Sequence, residues 1–561
     1  MTKTRMFNIK VRVLPIATVF AISGAGLIFN VSRPLARPLY GESAGNASKT
    51  SMLSEVSLGK KPAGFIDHSL VVSPDGNHIA FVIKQGSTKS IVVDGHVGKG
   101  YPDIPEQALT ERGRDPQIRF SPDSKRVAYV AQDLSGYFVV VDGVQGNPFE
   151  SIAVGAPVFS PDSKRVAYIA RREGKEVVVV DGVAGPWCDY VEAVPIRFSP
   201  DSKHLAYPAK RGNSSIAVMD GKEIDRAQLI GFIRFSNDGR HYAYVALNGE
   251  TRRVVVDGVP GREYTQVGNE ILFSSDSKHV MYRATGAGGN FIVLDGVEGK
   301  YRGIIRENEY DFGPDGKPLY IVEREPEEMY CIIGQDVLGP YQRVSGMPRF
   351  SADASRVAFA VTRMDRKQAV VTDGAAGPPF DLVDTLGFGP KGNRLLYTAL
   401  RGTKHFTVLD GVQTEYDAVA MSAFSPDGEH LALLVKIDGE WVILVDGNKR
   451  KAPCDQLSQL VLARGGKHLA LVCQRGGRQV PIVDGAGGKA YDHVGEIVFS
   501  ASGSSAYIAI REGKSFVVVD SLEICEFDAS QAPLIVDGAS SLHFIAVKNG
   551  EFFREQIRFE K

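Results

Sequence analysis

The chain has 561 residues, 43% hydrophobic and 23% charged, with 65 basic side chains against 66 acidic ones and a formal net charge of −1. That length supports several cores. Near-neutral charge, with no Lys/Arg cluster beyond the first dozen residues, argues against nucleic acid as a partner, because polyanion binders concentrate basic charge on one surface.

Lys3, Arg5, Lys10 and Arg12 precede the uncharged, mostly apolar stretch Val13 to Val31, and Arg33 follows it. This pattern is an export signal. The run nearly reaches the ~20 residues that span a bilayer, and the small-residue cleavage candidates at Ala36 and Ala44 to Ala47 are loose. Residues 1–32 therefore read either as a cleaved signal peptide or as an N-terminal membrane anchor. The basic flank places the N-terminus in the cytoplasm and the folded body on the other side. The expected location is extracytoplasmic, periplasmic or secreted, with residues 13–31 holding an uncleaved chain to the inner membrane. No other membrane contact is expected. Residues 33–66 are rich in Gly, Ser, Ala and Lys and read as a linker ending in a ring-closing strand. The G-x-S-x-G match at Gly41 to Gly45 lacks the strand and helix that would pin Ser43 as a nucleophile.

From residue 67 onward the chain repeats one phrase, cleanest as FSPDSKRVAYIARREGKEVVVVDG from Phe159 to Gly182. Ser160-Pro161-Asp162-Ser163 reads as a type I turn, since proline presets φ and Asp and Ser bond nearby backbone. Asp181-Gly182 is a hairpin signal. Aligned on Phe120, Phe159, Phe198, Phe235, Phe273, Phe312, Phe350, Phe388, Phe424 and Phe499, consecutive copies are 36 to 39 residues apart. An earlier copy begins at Val72, and degenerate ones begin near Val461 and Val536, giving thirteen.

Each copy contains four short strand patterns, which for a period of about 38 residues means a propeller blade. The fold class is all-β, a β-propeller of about thirteen four-stranded blades. Usual rings hold four to eight blades, so two tandem propellers of six and seven blades are expected, residues 67–308 and 309–561. The irregular copy from Glu309 to Val344 lacks the VDG signature and carries the acidic run at 323–328, which suits a junction. The last copy supplies only three strands, and residues 50–66 are expected to donate the fourth, because an open edge strand invites aggregation.

The phrase FSPDSKRVAYVA followed by a VVVDG strand resembles the WD40-like, TolB-type propeller repeat of exported bacterial proteins, over residues 67–561. The VDG with a further Gly, as in Asp295 to Gly299, and the lack of a recognisable TolB N-terminal domain set this chain apart from TolB itself. Such propellers serve as binding platforms, lids and enzymes, so the resemblance implies fold rather than function.

Stacking the copies tests the candidate residues. His78, His204, His241, His279, His430 and His468 share one repeat position on different blades, where Arg126, Arg165 and Arg356 serve equally well, and so read as rim residues. Asp123, Asp162, Asp201 and Asp427 belong to turns and do not converge as calcium requires. The cysteines, Cys188, Cys331, Cys454, Cys473 and Cys525, show no metal spacing and read mainly as small buried hydrophobes. Which of them could form a disulfide is not fixed by sequence. No phosphate-loop, dinucleotide, haem or iron–sulfur spacing appears, so neither metal nor cofactor is expected. Arg119, Arg197, Arg234 and Arg349 precede the turn aromatic on the strand expected to be innermost, where they would line the channel and attract an anionic ligand or acidic tail. Function on a propeller lives in loops that break the repeat; here these are the insertion from Tyr101 to Asp115 and the copy around Glu323 to Glu328. No catalytic constellation survives the stacking. The favoured reading is an exported, non-enzymatic scaffold binding a protein, peptide or envelope component. The alternative is a hydrolase or lyase with its site at a propeller mouth.

Overall fold

The structure is a computed structural model that describes residues 52–558, apart from 67–68, 106–107, 111–112, 116, 154, 156, 193–195, 455, 531–534 and 538–540. The export segment and Ser43 lie outside these residues. Blade 3 shows how the phrase folds. Ser163 N donates to Ser160 O at 2.8 Å, and Ser160 Oγ donates to Asp162 Oδ1 at 2.6 Å while accepting from Arg165 N at 2.9 Å. The strand Val166–Arg172 turns at Glu173-Gly174 into Lys175–Val180, which turns at Asp181-Gly182 into Val183–Ala184. Both turns hold positive φ at both residues, 52° and 72°, then 50° and 80°. This geometry matches the right-handed twist of the flanking strands, and Gly at the second position adopts it without a Cβ penalty.

Thirteen such sheets follow one another, each an antiparallel series of four strands; in five the first strand is broken into two short pieces. The insertion after Tyr101 folds as a separate two-stranded hairpin, Ala108–Thr110 with Gly113–Asp115, between blades 1 and 2. Fourth strands are the most exposed, as in Val412–Tyr416 and Asn448–Lys451, whereas first strands such as Ile118–Phe120 are largely covered. That gradient is what blades converging on an axis at their first strands produce.

Apolar residues occupy both faces of each sheet, and every buried cluster lies between two consecutive blades. The series runs without a break through residue 308: Met281, Ile292 and Tyr310 join blade 6 to blade 7, and Leu319, Cys331 and Phe359 join blade 7 to blade 8. It ends where it began. Ile545 and Phe552 of the last blade pack on Ile79, Phe81 and Val92 of the first. Residues Lys49–Lys561 form one compact unit. The blades thus form a ring, and the expected division into six plus seven finds no counterpart in the described contacts.

The ring closes by strand exchange between the termini. Met52–Lys60 pairs antiparallel with Glu551–Arg558, from Met52 opposite Arg558 to Lys60 opposite Glu551. It is the outermost strand of blade 13, whose other strands come from the C-terminus. One disulfide, Cys454–Cys473, with Cα atoms 6.1 Å apart, ties the loop before blade 11 to that blade's second strand. Reading all cysteines as isolated hydrophobes therefore fails for this pair, which sequence distance did not single out. Cys188, Cys331 and Cys525 are free and buried.

Candidate functional site

The repeated His and Asp residues are structural. In six blades the His Nδ1 lies 2.6–2.8 Å from the Asp that closes the third strand: His78–Asp94, His204–Asp220, His241–Asp257, His279–Asp295, His430–Asp446 and His468–Asp484. Arg126–Asp142, Arg165–Asp181 and Arg356–Asp373 take the same place. The other carboxylate oxygen accepts from the backbone at the start of the second strand, as when Val166 N donates to Asp181 Oδ1 at 2.8 Å. The turn Asp residues connect neighbours: Asp123 N donates to Ser163 Oγ and Asp162 N to Ser202 Oγ, each at 2.9 Å. Among the described residues no group of three or more His, Cys, Asp or Glu could hold a metal ion.

Arg119, Arg197, Arg234 and Arg349 occupy equivalent positions on first strands, opposite Ala128, Ala206, Ala243 and Ala358. They belong to blades 2, 4, 5 and 8. Arg119 is half-buried and Arg197, Arg234 and Arg349 are exposed.

The repeat breaks most sharply in blade 7, whose strands are Tyr310–Phe312, Pro318–Glu325, Glu328–Ile333 and Asp336–Tyr341. Pro318 stands where other blades place a strand residue whose N–H meets the closing Asp, and that Asp is absent. Both hairpin registers of this blade shift, between Glu323 and Glu325 and between Met329 and Cys331. A cleft of about 710 Å³ lies beside this blade, lined by Arg306, Glu309, Glu323, Glu327, Met329, Gln342 and Arg343.

Arg306 organises this cleft. One of its terminal nitrogens, Nη1, donates to both carboxylate oxygens of Glu309, at 3.0 and 3.1 Å, and the other to Glu323 Oε2 at 2.8 Å. These carboxylates raise the Arg306 pKa, Glu323 most. One guanidinium thus holds both carboxylates in place. At the lip, Glu327 and Arg343 are exposed, and Glu327 has φ +65° at the hairpin tip. Met329 and Val344 form the apolar floor. The acidic run was visible in sequence; Arg306, Glu309, Gln342 and Arg343 were not singled out. Their signal was the extra polar stretch Arg306 to Glu309 just before the first strand, where regular copies carry no such charged turn.

The fold defines the class: an all-β propeller of thirteen antiparallel four-stranded blades. No family model and no curated protein matches the chain. Among solved structures it is similar to the β-propeller domain of the Trilobed protease from Pyrococcus furiosus, at 14% identity over 48% of this chain and 96% of that one, TM-score 0.24. It is similar to the GH74 enzyme of Niastella koreensis at 10% identity over 88% and 90%, TM-score 0.23, and to TolB from Acinetobacter baumannii at 16% over 58% and 79%, TM-score 0.20. These likenesses bear on fold alone.

Proposed function

We propose that this protein is an exported binding propeller whose recognition surface is the cleft beside blade 7, and that its partner is a protein or peptide presenting a segment with charges of both signs. The carrying observation is the cleft itself, about 710 Å³ opened where the repeat fails, with Glu327 and Arg343 at the lip and Met329 below. Opposite charges flanking an apolar floor fit an extended segment that buries one apolar side chain between two charged ones, and a methionine adapts to that side chain's shape. The Cys454–Cys473 bridge fits an oxidising compartment outside the cytoplasm. The channel arginines, Arg119, Arg197, Arg234 and Arg349, would extend the contact to an acidic tail of the same partner.

The test is capture from an envelope fraction by the full chain, with mass spectrometry, in parallel with the charge-reversed pair Glu327→Lys and Arg343→Glu. A partner held by the native chain and lost from the reversed one supports the reading. Capture that is identical with both, or absent with both, refutes it.

A further inference from the structure

The third strand of blade 13 departs from every other in composition, and register shows where the change falls. In blade 3, Ala167, Tyr168 and Ile169 pair with Val180, Val179 and Val178. In blade 13, His543, Phe544 and Ile545 pair with Gln556, Glu555 and Arg554. Tyr168 and Phe544 face the preceding blade, and Ile169 and Ile545 the following one, so the two alignments are equivalent. At the Val178 position no other blade carries a charge: buried Val139, Val254, Ile292, Ile443 and Val517 stand there, and Thr407 in blade 9. The last blade puts Arg554 there, Gln556 at the Val180 position and His543 at the Ala167 position.

All three face blade 1, across the seam where the N-terminal strand joins. Val56 lies opposite Arg554, and Ser54 opposite Gln556. One end of this interface stays apolar, with Leu58, Phe81, Ile545 and Phe552. The other end opens a cavity of about 310 Å³ lined by Ser54, Val56, Asn77, His78, His543, Arg554 and Gln556. The nearby carboxylates are engaged. Asp94 meets His78 Nδ1 at 2.6 Å and accepts from Ile79 N at 2.9 Å; Asp75 accepts from Ser73 Oγ at 2.5 Å and from Asn77 N at 3.0 Å. His543 is buried, its Nε2 bonded to Asp75 O at 2.6 Å. Arg554 forms no ion pair among the described residues. A half-buried guanidinium facing a polar cavity, with an amide and a hydroxyl beside it, is a donor set without a charged acceptor.

We propose that this seam cavity binds a small oxyanion, a phosphate or carboxylate group, in the fork of Arg554, with Gln556, Ser54 and Asn77 as further donors. The ligand would bridge the last blade, the N-terminal strand and the first blade, and so favour the closed ring by mass action. Nothing here depends on the cleft beside blade 7.

The experiment is calorimetric titration of the full chain with millimolar inorganic phosphate, and separately with acetate and succinate, at constant ionic strength set with chloride. Low concentrations avoid the general stabilisation that phosphate exerts by exclusion. Saturable binding is expected, with affinity reduced roughly tenfold or more in Arg554→Gln, as for loss of charged hydrogen bonds. Arg240→Gln, on an exposed rim, should bind as the native chain does. Should Arg554→Gln fail to fold, Arg554→Lys keeps the charge without the fork and should weaken binding while the ring persists. The anion that saturates identifies the source. Absence of saturation with all three, or equal affinity in native chain and Arg554 variants, overturns the proposal.

Discussion

Lys548→Met should loosen ring closure at one place. Glu555 stands at the core position held by Val179 in blade 3, fully buried at 0% exposure. Burial raises its pKa, opposed chiefly by Lys548. Lys548 Nζ pairs with Glu555 Oε1 and with Glu55 Oε2 of the N-terminal strand, while Glu555 Oε2 has no partner. Removing one member of a buried pair costs about 3–5 kcal/mol because the other charge is left unpaired. The Glu55 arm, with its side chain 41% exposed, adds at most about 1 kcal/mol. The loss is therefore about 3–5 kcal/mol and concentrated on blade 13. Stability of so many blades is not a single two-state quantity, so the readout is native-state hydrogen exchange. Met52–Lys60 and Ser541–Arg558 should exchange faster by a factor corresponding to that loss, and blades 4 to 9 should be unchanged. The double variant Lys548→Met with Glu555→Leu should recover most of the protection, since an apolar pair of similar volume removes the stranded charge. Equal protection in native and Lys548→Met chains, or no recovery in the double variant, would refute the reasoning.

Three further outcomes follow from the repeat. Asp181→Ala removes the acceptor of Val166 N and Arg165 Nε and forces alanine to φ +50°; about 2–3 kcal/mol should be lost locally, and Asp181→Asn should lose less, read by exchange of Val166–Val180. Replacing Cys454 and Cys473 by alanine, a closure of separation 19, should cost ~3 kcal/mol; thermal unfolding of the native chain should then respond to reductant and that of the variant should not. Asp276 and Asp427 are held at about 2 rather than 3.8, chiefly by the hydroxyls of Ser274 and Ser425. A depressed carboxylate stabilises fully above its unfolded value, so this contribution should be present above about pH 4 and lost as pH falls towards 2. Urea unfolding against pH should flatten in that window for the double Asp→Asn variant.

Much of the fold could be read from sequence because each blade is local: turn residues set the hairpins, and alternating Val, Ala and Tyr set the faces. The His and Asp series resolved the same way, since a shared phase on different blades cannot assemble one site. The number of rings could not be read this way. Every interface between blades uses the same small set of apolar side chains, so Tyr310 on Met281 looks no different from Cys188 on Ile169. Ring size is decided by the pairing of Met52–Lys60 with Glu551–Arg558, nearly five hundred residues away, and that pairing has no local signature.

The same reasoning explains why the two candidate sites emerged only from the structure. Arg306 reaches Glu323 across 17 residues, a contact that no spacing within the repeat announces. Arg554-Glu555-Gln556 looks in sequence like an ordinary polar terminus. Pairing with Ile545, Phe544 and His543 reveals it as a core strand carrying charge on both faces, Glu555 towards blade 12 and Arg554 towards blade 1. Charges in that position cost stability unless something satisfies them. Lys548 does so on one face. On the other face the open cavity and its donors leave room for a ligand to do the same.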